Sequence, residues 1–191
     1  DRACLNDLLT RRGRTPTDAY LNSLVERKSQ AYQKAIATIN PLPIYPGVED
    51  IIFRLRSLQI PLAIVSGAVR TEIQIVLERA GLASHFPIIV AGDDIPTSKP
   101  DPTGLLVAVQ KLQQKNPTLN LIPANCLVIE DSPAGITAAK NAGMSVVGVA
   151  NTYPYHMIQR QANWAIDYLT ELELDRIRSF FERHNEKMPS A

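Results

Sequence analysis

The chain is poor in cysteine: 191 residues carry two, Cys4 and Cys126. They fall in different predicted elements, and thiols so few and so placed fit a reducing compartment. Cys126 opens an apolar run and reads as a small buried hydrophobe. Long runs of one charge are lacking too. Lys and Arg number 20 against 19 Asp and Glu, for a net charge of +1, and this argues against nucleic acid as the main partner, which needs a clustered basic face. No apolar stretch approaches the length of a membrane span, and the first residues do not read as a signal peptide. No membrane partner is therefore expected, and the expected location is cytoplasmic, which a targeting peptide ahead of Asp1 would change. Internal repeats and low-complexity tracts are absent. What remains is a chain long enough for one substantial core and a small accessory domain, expected to act as a monomer.

Chemistry concentrates in the stretch CLVIEDSPAGI at 126–136. A short apolar strand ends in two adjacent carboxylates, and Ser132 and Pro133 then start a helix over 133–142, closed by Gly143. Ligands of open parallel sheets sit beyond the carboxyl ends of the strands, which is where Glu130 and Asp131 point. Adjacent acids repel unless they share a cation or a proton, and hard oxygen ligands suit Mg²⁺. A helix cap made by Asp131 and Ser132 accounts for those two residues, but leaves Glu130 unexplained.

Two further segments repeat the pattern of an apolar run followed by polar chemistry. The run 61–65 ends in Ser66-Gly67-Ala68, where a hydroxyl and backbone N–H groups at a strand-to-helix junction would cradle a phosphate. The strand 87–91 leads to TSKPDP at 97–102, where two prolines predict an extended backbone that aims Lys99 ahead of the next helix. Taken in order, the hydroxyl, the lysine and the acid pair resemble the haloacid dehalogenase superfamily, most closely its branch of β-phosphoglucomutase and CbbY-type sugar phosphatases. The resemblance runs across nearly the whole chain, with Ser66 in the second motif, Lys99 in the third and Glu130-Asp131 in the fourth.

The resemblance implies a Mg²⁺-dependent phosphatase acting on a small phosphorylated metabolite, a sugar phosphate or bisphosphate, through an aspartyl-phosphate. Asp131 and Glu130 would hold the metal, Lys99 would offset charge on the phosphoryl group, and Ser66 with the N–H groups of Gly67 and Ala68 would bind its oxygens. A phosphomutase of the β-phosphoglucomutase type shares every one of these motifs. A non-catalytic relative that binds a metabolite or a protein is the alternative of another class. The superfamily's nucleophile sits in a D-x-D-x-[TV] motif, and this chain contains none: Asp93-Asp94 lacks the spacing, and Leu169 stands where the second acid after Asp167 belongs. Since the chain begins at Asp1 without methionine, an N-terminal segment carrying the first strand and the nucleophile is expected as its partner.

Along the chain, residues 1–42 read as the C-terminal half of a helical cap domain and 43–191 as an α/β core. Leu5, Leu8 and Leu9 mark one helix, and Thr17-Asp18 caps a second whose apolar stripe includes Leu21, Val25, Tyr32 and Ile36. Lys28 occupies a slot in that stripe, either as a snorkelling side chain or as a substrate contact facing the cleft between cap and core. RKSQAY at 27–32 resembles the cap segment of β-phosphoglucomutase whose lysine contacts substrate, and Arg2 resembles its phosphate-gripping arginine. After the proline-rich linker 40–47, βα units follow one another, with strands at 62–66, 87–91, 126–130 and 145–149. Alternation of this kind predicts a Rossmann-like, doubly wound parallel sheet. By resemblance the first strand is missing from the middle of that sheet, between the strands ending at Ser66 and Glu130, which would leave two half-sheets. Asn151, Tyr153, His156 and Trp164 are assigned no role.

Overall fold

Residues 2–185 are described, from a computed structural model of the chain. Two helices come first, α1 (Arg2–Thr10) and α2 (Asp18–Thr38), and α2 opens with the Thr17 hydroxyl accepting from the Tyr20 N–H. Beyond the linker the order is α3 (Val48–Ser57), β1 (Ala63–Val65), α4 (Arg70–Arg79), β2 (Ile88–Val90), α5 (Thr103–Lys115) and β3 (Leu127–Glu130). Then follow α6 (Pro133–Asn141), β4 (Ser145–Val149), α7 (Tyr155–Ile158), β5 (Trp164–Ile166) and α8 (Leu174–Asn185). The four predicted strands and the helix predicted after Ser132 are present, with bounds shifted by at most one residue. The short α7 falls in a segment where no element was expected.

All strands pair in parallel, as an α/β chain of repeated βα units requires. They form two sheets, β1 with β2 and β3-β4-β5, and no ladder joins β1 to β3. Yet the two sheets share their covering layers. Strand residues point alternately to opposite faces, so Val147 and Val149 join Ile51 and Ile52 of α3, Ile73 and Leu77 of α4 and Ile177 of α8 in one apolar cluster. Ile64, Ile89 and Leu127 pack against that same cluster, so it spans both sheets. On the other face Val146 packs with Leu105 of α5 and Ile136 of α6, and both Val65 and Val128 pack there too. Burying one such aliphatic side chain stabilises the fold by about 1.5–3 kcal/mol, so these two layers hold the half-sheets side by side. The facing edges of β1 and β3 remain apart, and Ile129 on β3 is 38% exposed in what is otherwise a core strand.

The two leading helices meet the rest of the fold through α4, on which α2 packs. Lys28 does not stand free in the apolar stripe of α2: its ammonium pairs at 2.8 Å with Glu72, which is only 3% exposed, and it lies 5.2 Å from the centre of the Tyr32 ring. The Arg79 guanidinium donates to the carbonyls of Ile36 and Ile39 at the end of α2, joining the Ile39 N–H on the first of them. Because Glu72 is buried and Lys28 half-exposed, Lys28→Ala is expected to lower stability by about 1–2 kcal/mol through an uncompensated carboxylate. Adding Glu72→Gln should recover part of that loss. A denaturation midpoint unchanged in Lys28→Ala would refute this. Cys126 is half-buried, with burial raising its thiol pKa. At the C-terminal end Trp164 meets Phe180 edge-on at 4.9 Å.

Candidate active site

The carboxyl ends of β1 and β3 open on one cavity of about 440 Å³, lined from the first by Val65, Ser66 and Gly67 and from the second by Ile129, Glu130, Asp131 and Ser132. Lys99 enters from the segment between β2 and α5, and Val149, Asn151 and Leu169 complete the wall. This is the crevice beyond strand ends where open α/β sheets bind ligands. The acids, lysine and hydroxyl read from three separate motifs thus meet in one place.

Ser66 extends β1 by one rung, its N–H donating to the Val90 carbonyl at 3.0 Å. Its hydroxyl oxygen accepts from the Ala68 N–H at 3.1 Å, and the Gly92 N–H donates to the Ala68 carbonyl at 2.8 Å. A Cβ on Gly92 would come closer than 3.0 Å to the Gly67 carbonyl, so the turn after β1 rests directly on the turn after β2. The Ala68 amide is therefore committed to Ser66 rather than offered to a ligand, and Ala68 is not among the cavity residues. Ser66 keeps its hydroxyl hydrogen for donation. Asp93 and Asp94 serve this same junction. Asp93 accepts from the Arg70 N–H at 2.9 Å at the start of α4, and Asp94 pairs with the Arg70 guanidinium. Burial alone would raise the Asp94 carboxyl, but the Ala91 N–H, Arg70 and Lys111 outweigh it and hold its pKa below the ordinary 3.8.

Lys99 spans the gap between the half-sheets, donating at 3.2 Å to the Val65 carbonyl on one side and pairing with Glu130 on the other. The segment that carries it turns instead of running extended, for a physical reason supplied by Asp101. That residue's N–H donates to the Ser98 carbonyl at 3.0 Å, and its carboxylate accepts from Thr97 at 3.0 Å and from the Thr103 N–H at 2.9 Å. The bonds from Thr103, then that from Thr97, hold the Asp101 pKa below its usual value. The Lys99–Pro100 peptide within this turn is cis.

The two adjacent acids part company. Glu130, with a side chain 9% exposed, is engaged by Lys99 and by the Ser132 hydroxyl at 3.1 Å. Asp131 accepts from the Thr152 hydroxyl and faces the cavity. Thr152 was not legible as a site residue, because its only signal is a position just past β4. Among the described residues no group of three or more His, Cys, Asp or Glu could hold a metal ion. The donors present fit Mg²⁺ in kind, hard carboxylate oxygens at a strand end, and supply part of a six-ligand shell. Asp131 is the better placed of the two, since Glu130 already neutralises Lys99.

Lys28 and Arg2 are not among the cavity residues. Lys28 lies at the contact of α2 with α4 on Glu72, while Arg2 pairs with Asp18 at 2.6 Å and bonds Asn22, tying α1 to α2. Asn151 does line the cavity, whereas Trp164 packs on α8. No helix among the described residues is long and apolar enough to cross a membrane.

The chain is similar to known proteins over most of its length. It is 29% identical over 168 residues to the β-phosphoglucomutase of Bacillus subtilis, covering 88% of this chain and 69% of that relative. It is 32% identical over 161 residues to protein CbbY of Rhodobacter capsulatus, covering 83% and 67%. In structure it matches a β-phosphoglucomutase from Clostridium difficile with a TM-score of 0.79 at 24% identity, over 97% of this chain and 78% of that one, which shows a shared fold. The profile of the haloacid dehalogenase-like hydrolases matches residues 4–143, most of the chain, Ser66, Lys99, Glu130 and Asp131 among them. The chain therefore belongs to the haloacid dehalogenase-like hydrolase family.

Proposed function

We propose that the intact protein is a Mg²⁺-dependent phosphatase acting on a small phosphorylated sugar, by way of an aspartyl-phosphate. One observation carries the proposal: Ser66, Lys99 and Asp131 converge on one cavity at the ends of β1 and β3. These are a hydrogen-bond donor, a cation and a carboxylate, the groups that phosphoryl transfer asks of a protein apart from its nucleophile. The name of the Bacillus subtilis relative, a β-phosphoglucomutase, points to sugar phosphates as substrates.

In this reading Ser66 donates its hydroxyl hydrogen to a phosphoryl oxygen, with the Gly67 amide beside it. Lys99, held by Glu130, stands where negative charge grows as the phosphoryl group moves, and offsets it. Asp131, and Glu130 behind it, would hold Mg²⁺, which when bound neutralises phosphoryl charge and orients the group. Neither acid of the cavity is available as nucleophile, so we assign that role to an aspartate on a further strand seated between β1 and β3. Lys28, at the boundary of cap and core, would contact the non-reacting part of the substrate as the cap moves, with Arg2 farther out on the same domain.

The similarity to β-phosphoglucomutases favours a mutase as the second reading. Both are tested by incubating the intact protein with a panel of sugar phosphates and bisphosphates, with Mg²⁺ and with a chelator. Release of inorganic phosphate that requires Mg²⁺ is the expected result. Transfer between two positions of one sugar without release would favour the mutase, and neither product from any substrate would sink both.

A further inference from the structure

Gly135 stands in the first turn of α6 with its bare Cα against the Glu130 carboxylate. A Cβ added there would come closer than 3.0 Å to the carboxyl carbon and both carboxylate oxygens of Glu130. The backbone gives no other reason for glycine at this position: Gly135 is helical and is not among the positive-φ residues. Glycine inside a helix is less favourable than alanine by about 1 kcal/mol, so local preference argues against it. The space itself is what the site uses.

The contacts around that space form a short chain. The Gly135 N–H donates to the Ser132 hydroxyl oxygen at 3.1 Å, and the same hydroxyl donates to Glu130 at 3.1 Å. Glu130 in turn pairs with Lys99, whose ammonium also reaches the Val65 carbonyl at 3.2 Å. A carboxylate on the first turn of a helix is favoured by the unpaired N–H groups there. It can lie so close only because nothing projects from residue 135.

We propose that Gly135 is a positioning residue: its missing side chain is the seat of the Glu130 carboxylate, and through that carboxylate it sets where the Lys99 ammonium stands in the cavity. The consequence for turnover rests on the phosphatase reading, while the seat itself does not.

Three variants of the intact protein test it: Gly135→Ala, Glu130→Asp and the two together, each read for phosphate release and for melting temperature. Gly135→Ala displaces the carboxylate and is expected to lower kcat by about 30-fold or more, with KM within about threefold. Glu130→Asp alone also lowers kcat, because the shorter side chain no longer reaches Lys99. In the Gly135→Ala background the sign reverses. The missing methylene makes room for the new Cβ, so the double variant should exceed Gly135→Ala in kcat by about fivefold and melt at a higher temperature. Losses that simply add, in activity and in melting temperature, overturn the proposal, as does Gly135→Ala turnover within threefold of wild type. If Gly135→Ala does not fold, folding of the double variant supports the seat, and its failure to fold refutes it. Should wild type release no phosphate from any sugar phosphate, the functional reading falls and the melting-temperature cycle still decides the seat.

Discussion

Asp131→Asn is expected to abolish most Mg²⁺-dependent turnover while leaving the fold in place. The amide is the same shape as the carboxylate and still offers an oxygen to the Thr152 hydroxyl, so packing at the end of β3 changes little. What it removes is the negative charge that faces the cavity without a cation among the described residues. Loss of such a group lowers kcat by about 100-fold or more, and Mg²⁺ affinity should fall by at least about tenfold, measured by calorimetric titration of the intact protein. Glu130→Gln separates the two acids, because its first effect is on Lys99. It should reduce turnover with a smaller loss of metal affinity than Asp131→Asn. Unchanged turnover and metal affinity in Asp131→Asn would remove Asp131 from the site.

Expressed as residues 1–191, the chain is expected to show no phosphatase activity, whereas a protein that also supplies a strand between β1 and β3 should. Two observations converge on this. Among the described residues the acids lining the cavity are Glu130 and Asp131, the first committed to Lys99 and the second to the metal in our reading, so none of the described carboxylates there is left to attack phosphate. Asp93 and Asp167, the other acids considered, do not line that cavity; Asp93 caps α4 instead. The facing edges of β1 and β3 also lack a shared ladder, and Ile129 is partly exposed beside them. Unpaired backbone groups at a sheet edge are costly when buried and adhesive when exposed. A domain with about 5–15 kcal/mol of net stability has little margin for such a seam. A cooperative unfolding transition together with sugar-phosphate turnover from residues 1–191 would refute the prediction.

Much of this site could be read along the chain because each functional group follows an apolar run. Ser66, Lys99 and Asp131 each stand just beyond a strand, or in the segment leading from one, and parallel strands deliver those ends to one side. The strand and helix spans of the core were legible for the same reason, since buried runs of Val and Ile separated by amphipathic helices leave few alternatives. Partners of the side chains were not. That Ala68 gives its amide to Ser66, that Glu130 takes Lys99, and that Thr152 meets Asp131 each joins residues distant in sequence or turned by a local bond. The turn at Lys99 escaped the reading because two prolines suggest extension, while the Asp101 carboxylate, bonded on both sides, bends the segment.

The sequence by itself determined the α/β class, the order of the motifs and the end of the sheet at which they gather, because hydrophobic period and strand direction are local properties. Only the tertiary structure decided how the charges pair. The division of the sheet between the strands ending at Ser66 and Glu130 was expected by resemblance, and it is what the strand ladders show. Pairing depends on distances between elements far apart in the chain, and so Lys28, which looked like a misplaced charge in an apolar stripe, lies against the buried Glu72 of another helix. The division depends on hydrogen bonds between strands, and β1 and β3 lie under the same apolar layers without sharing one.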